Sequence, residues 1–196
     1  MYLIYDCSPV SRPLSYKSGF SETRNWPRLV HISWIVLNNE LKPIEDFDCI
    51  VVSENLPIDE TVMKFCKIDE EDLKKKSTPL VDILEKFNES VAKCDYIITH
   101  NQSYNENILA AEFVRKGVDI ALFRKERMDL MHEGTYFCKL PSKTGGYKWP
   151  SLEELYACCF HTAYSPANNA RADVIAATRS FIKLMKTGNL DDYFEE

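Results

Sequence analysis

The sequence lacks any run of about 18 apolar residues, so no membrane-spanning helix is expected. Its first residues carry no basic segment followed by a long apolar core, which argues against a secretion signal and for a cytoplasmic location. A positive net charge is also missing. With 24 Lys and Arg against 30 Asp and Glu the formal net charge is −6, whereas proteins that coat duplexes draw affinity from cations at phosphates. That disfavours duplex coating and leaves room for an acidic protein that handles one chain end. The seven cysteines are odd in number and irregular in spacing, so they are read as reduced thiols rather than a disulfide framework. Cys158, Cys159 and His161 lack zinc-ligand spacing and have no partner pair. Thr144-Gly145-Gly146 is too short for a phosphate-binding loop and lacks its strand and helix context. No Ser or Cys nucleophile stands beside an identifiable base, and no internal repeat or low-complexity linker is present.

What is present is an α/β order. At 196 residues and 45% hydrophobic content the chain suits one domain, expected over 1–188, with 189–196 as a short acidic tail. "YLIYD" at the start, "RLVHISWIVLN" and "DFDCIVV" read as three successive strands, the last two joined by a hairpin at "NNELKP". From Asp59 the pattern turns helical. "TPLVDILEKFNESVAKC" places Leu80, Ile83, Leu84, Phe87 and Val91 on one face. "DYIITH" is another strand, and "NENILAAEFVRKG" a helix stopped by Gly117. The region from Met128 to Cys138 reads as helix, "SLEELYACCF" as a helix capped by Ser151, and "NNARADVIAATRSFIKLMKTG" as a long amphipathic one. This order predicts a mixed sheet flanked by helices. Asp6 falls where the first strand ends, a place where an acid is commonly catalytic, metal-binding or turn-forming, yet Cys7-Ser8-Pro9 supplies no second carboxylate.

Three stretches then carry a resemblance: "YLIYDCS" near the start, "ITHNQSYNENILAAEF" in the middle and "NNARADVIAATRSFIKL" near the end. In this order they resemble the three motifs of the DEDDh 3′–5′ exonucleases, a ribonuclease H-like family that includes polymerase proofreading subunits. "NWPRLVHISW", "YFCKLP" and "GYKWPSLEELY" resemble the family's intervening segments, so the likeness covers roughly residues 2 to 186. It implies a ribonuclease H-like α/β fold with a mixed five-stranded sheet flanked by helices. It also implies chemistry on Mg2+ or Mn2+, with two ions about 4 Å apart at the scissile phosphodiester. Magnesium prefers an octahedron of oxygens, so several carboxylates must converge.

Residue by residue, the catalytic set is incomplete. Asp6 fits the first acid, but the Glu expected two positions later is Ser8. His100, Asn101 and Tyr104 fit the second motif, whose acid is Asn105. Asp173 fits the last acid, while the general-base position holds Asn168 and the alternative Tyr position holds Asn169. Cys7, Pro9, His100, Asn101 and Tyr104 are the positions that would meet nucleic acid, and Asp6 and Asp173 would hold any metal weakly. Pro9-Val10-Ser11 replaces the usual Thr-Thr-Gly, and Cys66-Lys67-Ile68-Asp69 the usual His-Gly-Ile-Thr. The departures fall on polar positions and the matches on apolar ones. The expectation is therefore a degenerate, catalytically inactive exonuclease-like protein that binds a protein partner or a single-stranded DNA or RNA 3′ end. The alternative is an active metal-dependent exonuclease in which His161, His100 or Glu106 supplies the missing function.

Overall fold

The computed structural model describes residues 1–52 and 58–194. The chain opens with β1 (Tyr2–Pro9), β2 (Leu29–Leu37) and β3 (Pro43–Val52), then α1 (Glu60–Cys66) and α2 (Glu70–Lys76). There follow β4 (Ser77–Pro79), α3 (Leu80–Ala92), β5 (Tyr96–Thr99), α4 (Gln102–Lys116), a 3-10 turn (Ala121–Arg124) and β6 (Glu126–Asp129). The remaining elements are α5 (Leu130–Cys138), α6 (Leu152–Phe160), α7 (Ala170–Lys186) and α8 (Asp191–Phe194).

These strands form a mixed sheet in the order β4-β3-β2-β1-β5-β6. β2 is antiparallel to both β1 and β3, whereas β1 with β5, β5 with β6 and β3 with β4 are parallel. The expected α/β class and helix-flanked mixed sheet are present. The strand count is a correction, six among the described residues instead of five. The two strands that the sequence pattern did not mark are both short edge strands. Ser77–Pro79 has three residues, too few to show alternation, and leads straight into α3. Glu126–Asp129 is polar at its outer end and takes in Met128 and Asp129, so the helix expected from Met128 starts at Leu130.

Period-two alternation along β1 divides the core. Leu3, Tyr5 and Cys7 face one side with Trp34, Phe87 and Phe113, under α3 and α4. Ile4 faces the other side with Ile98, Leu155, Val174 and Phe181, under α6 and α7. By the same alternation Asp6 and Ser8 face α7. β2 is buried along its whole length, as expected for an interior strand covered on both faces. The helix stripe of Leu80, Ile83, Leu84, Phe87 and Val91 is buried as read. Residues 189–194, within the expected short acidic tail, include α8: Leu190 is buried and the Phe194 ring meets Tyr96 at 4.9 Å and Tyr2 at 5.8 Å. The apolar residues interleaved with the acids account for that docking. Glu195 and Glu196 lie outside the described residues.

Candidate functional site

Asp6, Ser8, Asn105, Asn168 and Asp173, which are far apart in the chain, line one cleft of about 900 Å3. The cleft opens at the carboxyl end of β1. That strand is interior rather than at the sheet's edge, between antiparallel β2 and parallel β5, and the strand order reverses about it. Such switch points leave a crevice where the flanking connections diverge. Cys7, Pro9, His100, Asn101 and Tyr104 line the same cleft.

Asn105 sits in the first turn of α4 and is 2% exposed. Its Oδ1 accepts from the Cys7 backbone N–H at 3.0 Å, while Nδ2 donates to Asp6 Oδ1 at 3.2 Å and to the His100 carbonyl at 2.9 Å. The amide orientation is fixed, because a backbone N–H can only donate and a carbonyl can only accept. Ser8 is also used structurally. Its hydroxyl, 7% exposed, accepts the Ala170 N–H at 3.0 Å and so ties β1 to the first turn of α7. Pro9 lies at a register shift in the β1–β2 pairing, where a missing N–H is tolerated.

Asp173 lies in the first turn of α7, and its Oδ1 accepts the Tyr164 hydroxyl at 2.7 Å and the Asn168 N–H at 3.2 Å. Asn168 itself is exposed, with a left-handed backbone at φ 62°. Asn169 caps α7 by accepting from the Ala172 N–H, and its amide donates to the carbonyls of Cys66 at 3.1 Å and Lys67 at 3.0 Å. The Lys67 ammonium donates to the Ala167 carbonyl. Tyr164 and Lys67 therefore surround Asp173, a role their positions in sequence did not signal.

The carboxyl pair is electrostatically strained. Burial pushes Asp173 up to about 6, against the pull of the Tyr164 hydroxyl, the Asn168 N–H and the Lys67 charge. Burial, followed by the neighbouring Asp173, pushes Asp6 well above the usual carboxylate range, while the Asn105 amide pulls the other way. Each acid has one oxygen already occupied by donors. Among the described residues no three His, Cys, Asp or Glu side chains cluster as a metal site. This donor set does not fit the several carboxylate oxygens that paired magnesium ions require.

Of the other candidates, His100 Nε2 lies 3.0 Å from the Pro150 carbonyl, so that nitrogen carries the proton. Glu106 turns away from the cleft and accepts from Arg127 at 2.9 Å. His161 is exposed at the end of α6 and does not line the cleft. All seven cysteines are free thiols.

No family model matches this chain, and no curated protein does. Solved structures do. E. coli exonuclease I in complex with a dA16 oligonucleotide is 19% identical with a TM-score of 0.68, over 98% of this chain and 42% of that one. The zinc ion bound form of an E. coli ExoI–ssDNA complex is 18% identical with a TM-score of 0.69, over 98% and 42%. An ExoI/SSB-Ct complex is 16% identical with a TM-score of 0.66, over 99% and 43%. The chain spans about two fifths of the length of these structures. The likeness establishes the exonuclease-like fold.

Proposed function

We propose that this chain is a degenerate 3′–5′ exonuclease-like protein that binds in its cleft without hydrolysing, its ligand being a nucleic-acid end or a protein partner. The observation that carries this reading is the Asn105 amide, which donates to Asp6 and to the His100 carbonyl while accepting from Cys7. A carboxylate at that position could make only the last of these bonds and would add charge beside Asp6. The residue is thus integrated as an amide, and its neighbours satisfy it as one.

Two further features support the reading. Where the resembled family has four carboxylates this chain has Asp6 and Asp173, so Mg2+ or Mn2+ binds weakly or not at all. Asn168 cannot exchange a proton near neutrality, and a general base contributes roughly a hundred- to ten-thousand-fold. The test is incubation of end-labelled single- and double-stranded DNA and RNA with the protein and either metal. Intact substrates are expected, and progressive shortening from the 3′ end would overturn the reading.

A further inference from the structure

The cleft continues on one side into a surface that its chemistry does not need. The loop from Lys139 to Trp149 folds back on itself, with Pro141 bridged to Tyr147, the Ser142 N–H on the Gly146 carbonyl at 3.0 Å and the Lys148 N–H on the Leu140 carbonyl at 2.9 Å. Positive φ values at Gly145 and Gly146, 97° and 71°, permit the tight reversal. The returning arm and the adjoining helix present large aromatic side chains to solvent. Trp149 is 60% exposed, Tyr147 46%, and Tyr136 on the adjoining α5 77%.

These rings are arranged in pairs along α5. His132 and Trp149 have centroids 4.5 Å apart, and Tyr136 and Tyr147 meet edge to face at 6.2 Å. His132 and Tyr136 are four residues apart on a helix, so the two pairs are displaced by about one turn, about 5.4 Å. The first pair reaches the cleft, since Trp149 and Lys148 line it; Tyr147 and Tyr136 lie beyond it. Against a chain with net charge −6, the stretch 139–149 has Lys139, Lys143 and Lys148, all exposed, and no acid, although the Lys148 ammonium is held by Glu154 on α6.

We propose that this hairpin and the adjacent face of α5 are a stacking platform for single-stranded nucleic acid, holding the strand that leads out of the cleft. Exposed rings beside cations are what sequence-tolerant single-strand binding uses, because every base has a π-face and lysines such as Lys139 and Lys143 meet the phosphates. The spacing selects a single strand. Bases stacked in a helix rise about 3.4 Å per step, so neighbours placed on rings a helical turn apart must be splayed, which an unpaired strand permits and a duplex resists. The inference rests on the reading of the cleft as a non-hydrolytic binding site and names the class of its ligand.

The tryptophans make the test direct. Trp26 and Trp34 are buried and Trp149 is the third, so fluorescence quenched by an added oligonucleotide reports on the hairpin. The full chain is titrated with fluorescein-labelled and unlabelled oligothymidylate in EDTA at low salt, with anisotropy and Trp emission as readouts. Expected are saturable binding, quenching, weakening with added salt, and preference for the single strand over a blunt duplex. Trp149→Ala should weaken binding roughly five- to hundredfold, Trp149→Phe much less, and Tyr147→Ala by a similar or smaller factor. Ile44→Ala, at an exposed position on β3, should bind as the parent does. Absence of binding by the folded parent, as for a surface that takes a protein instead, would overturn the platform, as would parental affinity in both Trp149→Ala and Tyr147→Ala. Metal-dependent hydrolysis, measured separately, bears on the reading of the cleft alone.

Discussion

The side-chain amide of Asn105 donates to Asp6 Oδ1 at 3.2 Å, joining the first turn of α4 to β1, which runs past Asp6 to Pro9 rather than ending there as the sequence suggested. The same amide nitrogen reaches the His100 carbonyl. Replacing Asn105 with Asp removes both donations and places a second carboxyl beside one that burial already holds above its usual range. Asn105→Asp is expected to destabilise the metal-free protein by roughly 1–3 kcal/mol. Urea unfolding at neutral pH measures this, and unchanged or increased stability would show that the amide is not structurally required.

The raised Asp173 has a defined linkage. Its folded value of about 6 exceeds the reference 3.8, so between these the folded state binds more protons than the unfolded one. Its contribution favours folding on the acid side and is lost as pH rises from about 4 to about 6, levelling above that. At about 1.4 kcal/mol per unit the full span is on the order of 3 kcal/mol. Other acids, such as Asp48 and Glu154, are shifted down and act oppositely, so the difference between variants is the useful quantity. Asp173→Asn is neutral at every pH. Subtracting its stability curve from the parent's should leave a fall over that window, and a flat difference would refute the shift.

Weak metal binding is the third expectation. Titration calorimetry with magnesium or manganese chloride should give dissociation constants no tighter than about millimolar, because two acids remain and their oxygens are partly committed to donors. Binding well below millimolar would mean that the carboxamides and Ser8 act as effective ligands.

Ser8 tests the structural reuse of a replaced position. Ser8→Ala leaves the Ala170 N–H without its buried acceptor and should cost about 1–2 kcal/mol in urea unfolding. No measurable loss would return Ser8 to the status of a passive substitution.

Much of the fold was legible because apolar periodicity marks buried elements. The α3 stripe and the all-buried β2 are read directly from spacing and composition. Ser77–Pro79 and Glu126–Asp129 were not, since short edge strands with polar residues have no alternation to detect. In the cleft, motif order brought Asp6, Asn105 and Asp173 to one place. The partners that define their state were hidden. Tyr164 reaches Asp173 from a loop nine residues earlier, and Lys67 arrives from the end of α1, a hundred residues before the Ala167 carbonyl it binds. Such contacts depend on how loops dock, and local sequence carries no period for that. The packing of Leu190 and Phe194 within the acidic tail was not legible either, because the acids around them dominate its composition.

The most direct measurement compares 3′-end degradation of a labelled oligonucleotide by the parent and by a variant carrying Ser8→Glu, Asn105→Asp and Asn168→His. Residues that act as one catalytic unit are strongly non-additive, so the three changes belong together, with Pro9→Thr added to restore a backbone N–H. Near-UV circular dichroism first confirms that both proteins are folded. The account predicts an intact oligonucleotide with the parent and metal-dependent shortening with the variant. Metal-dependent shortening by the parent itself would contradict it.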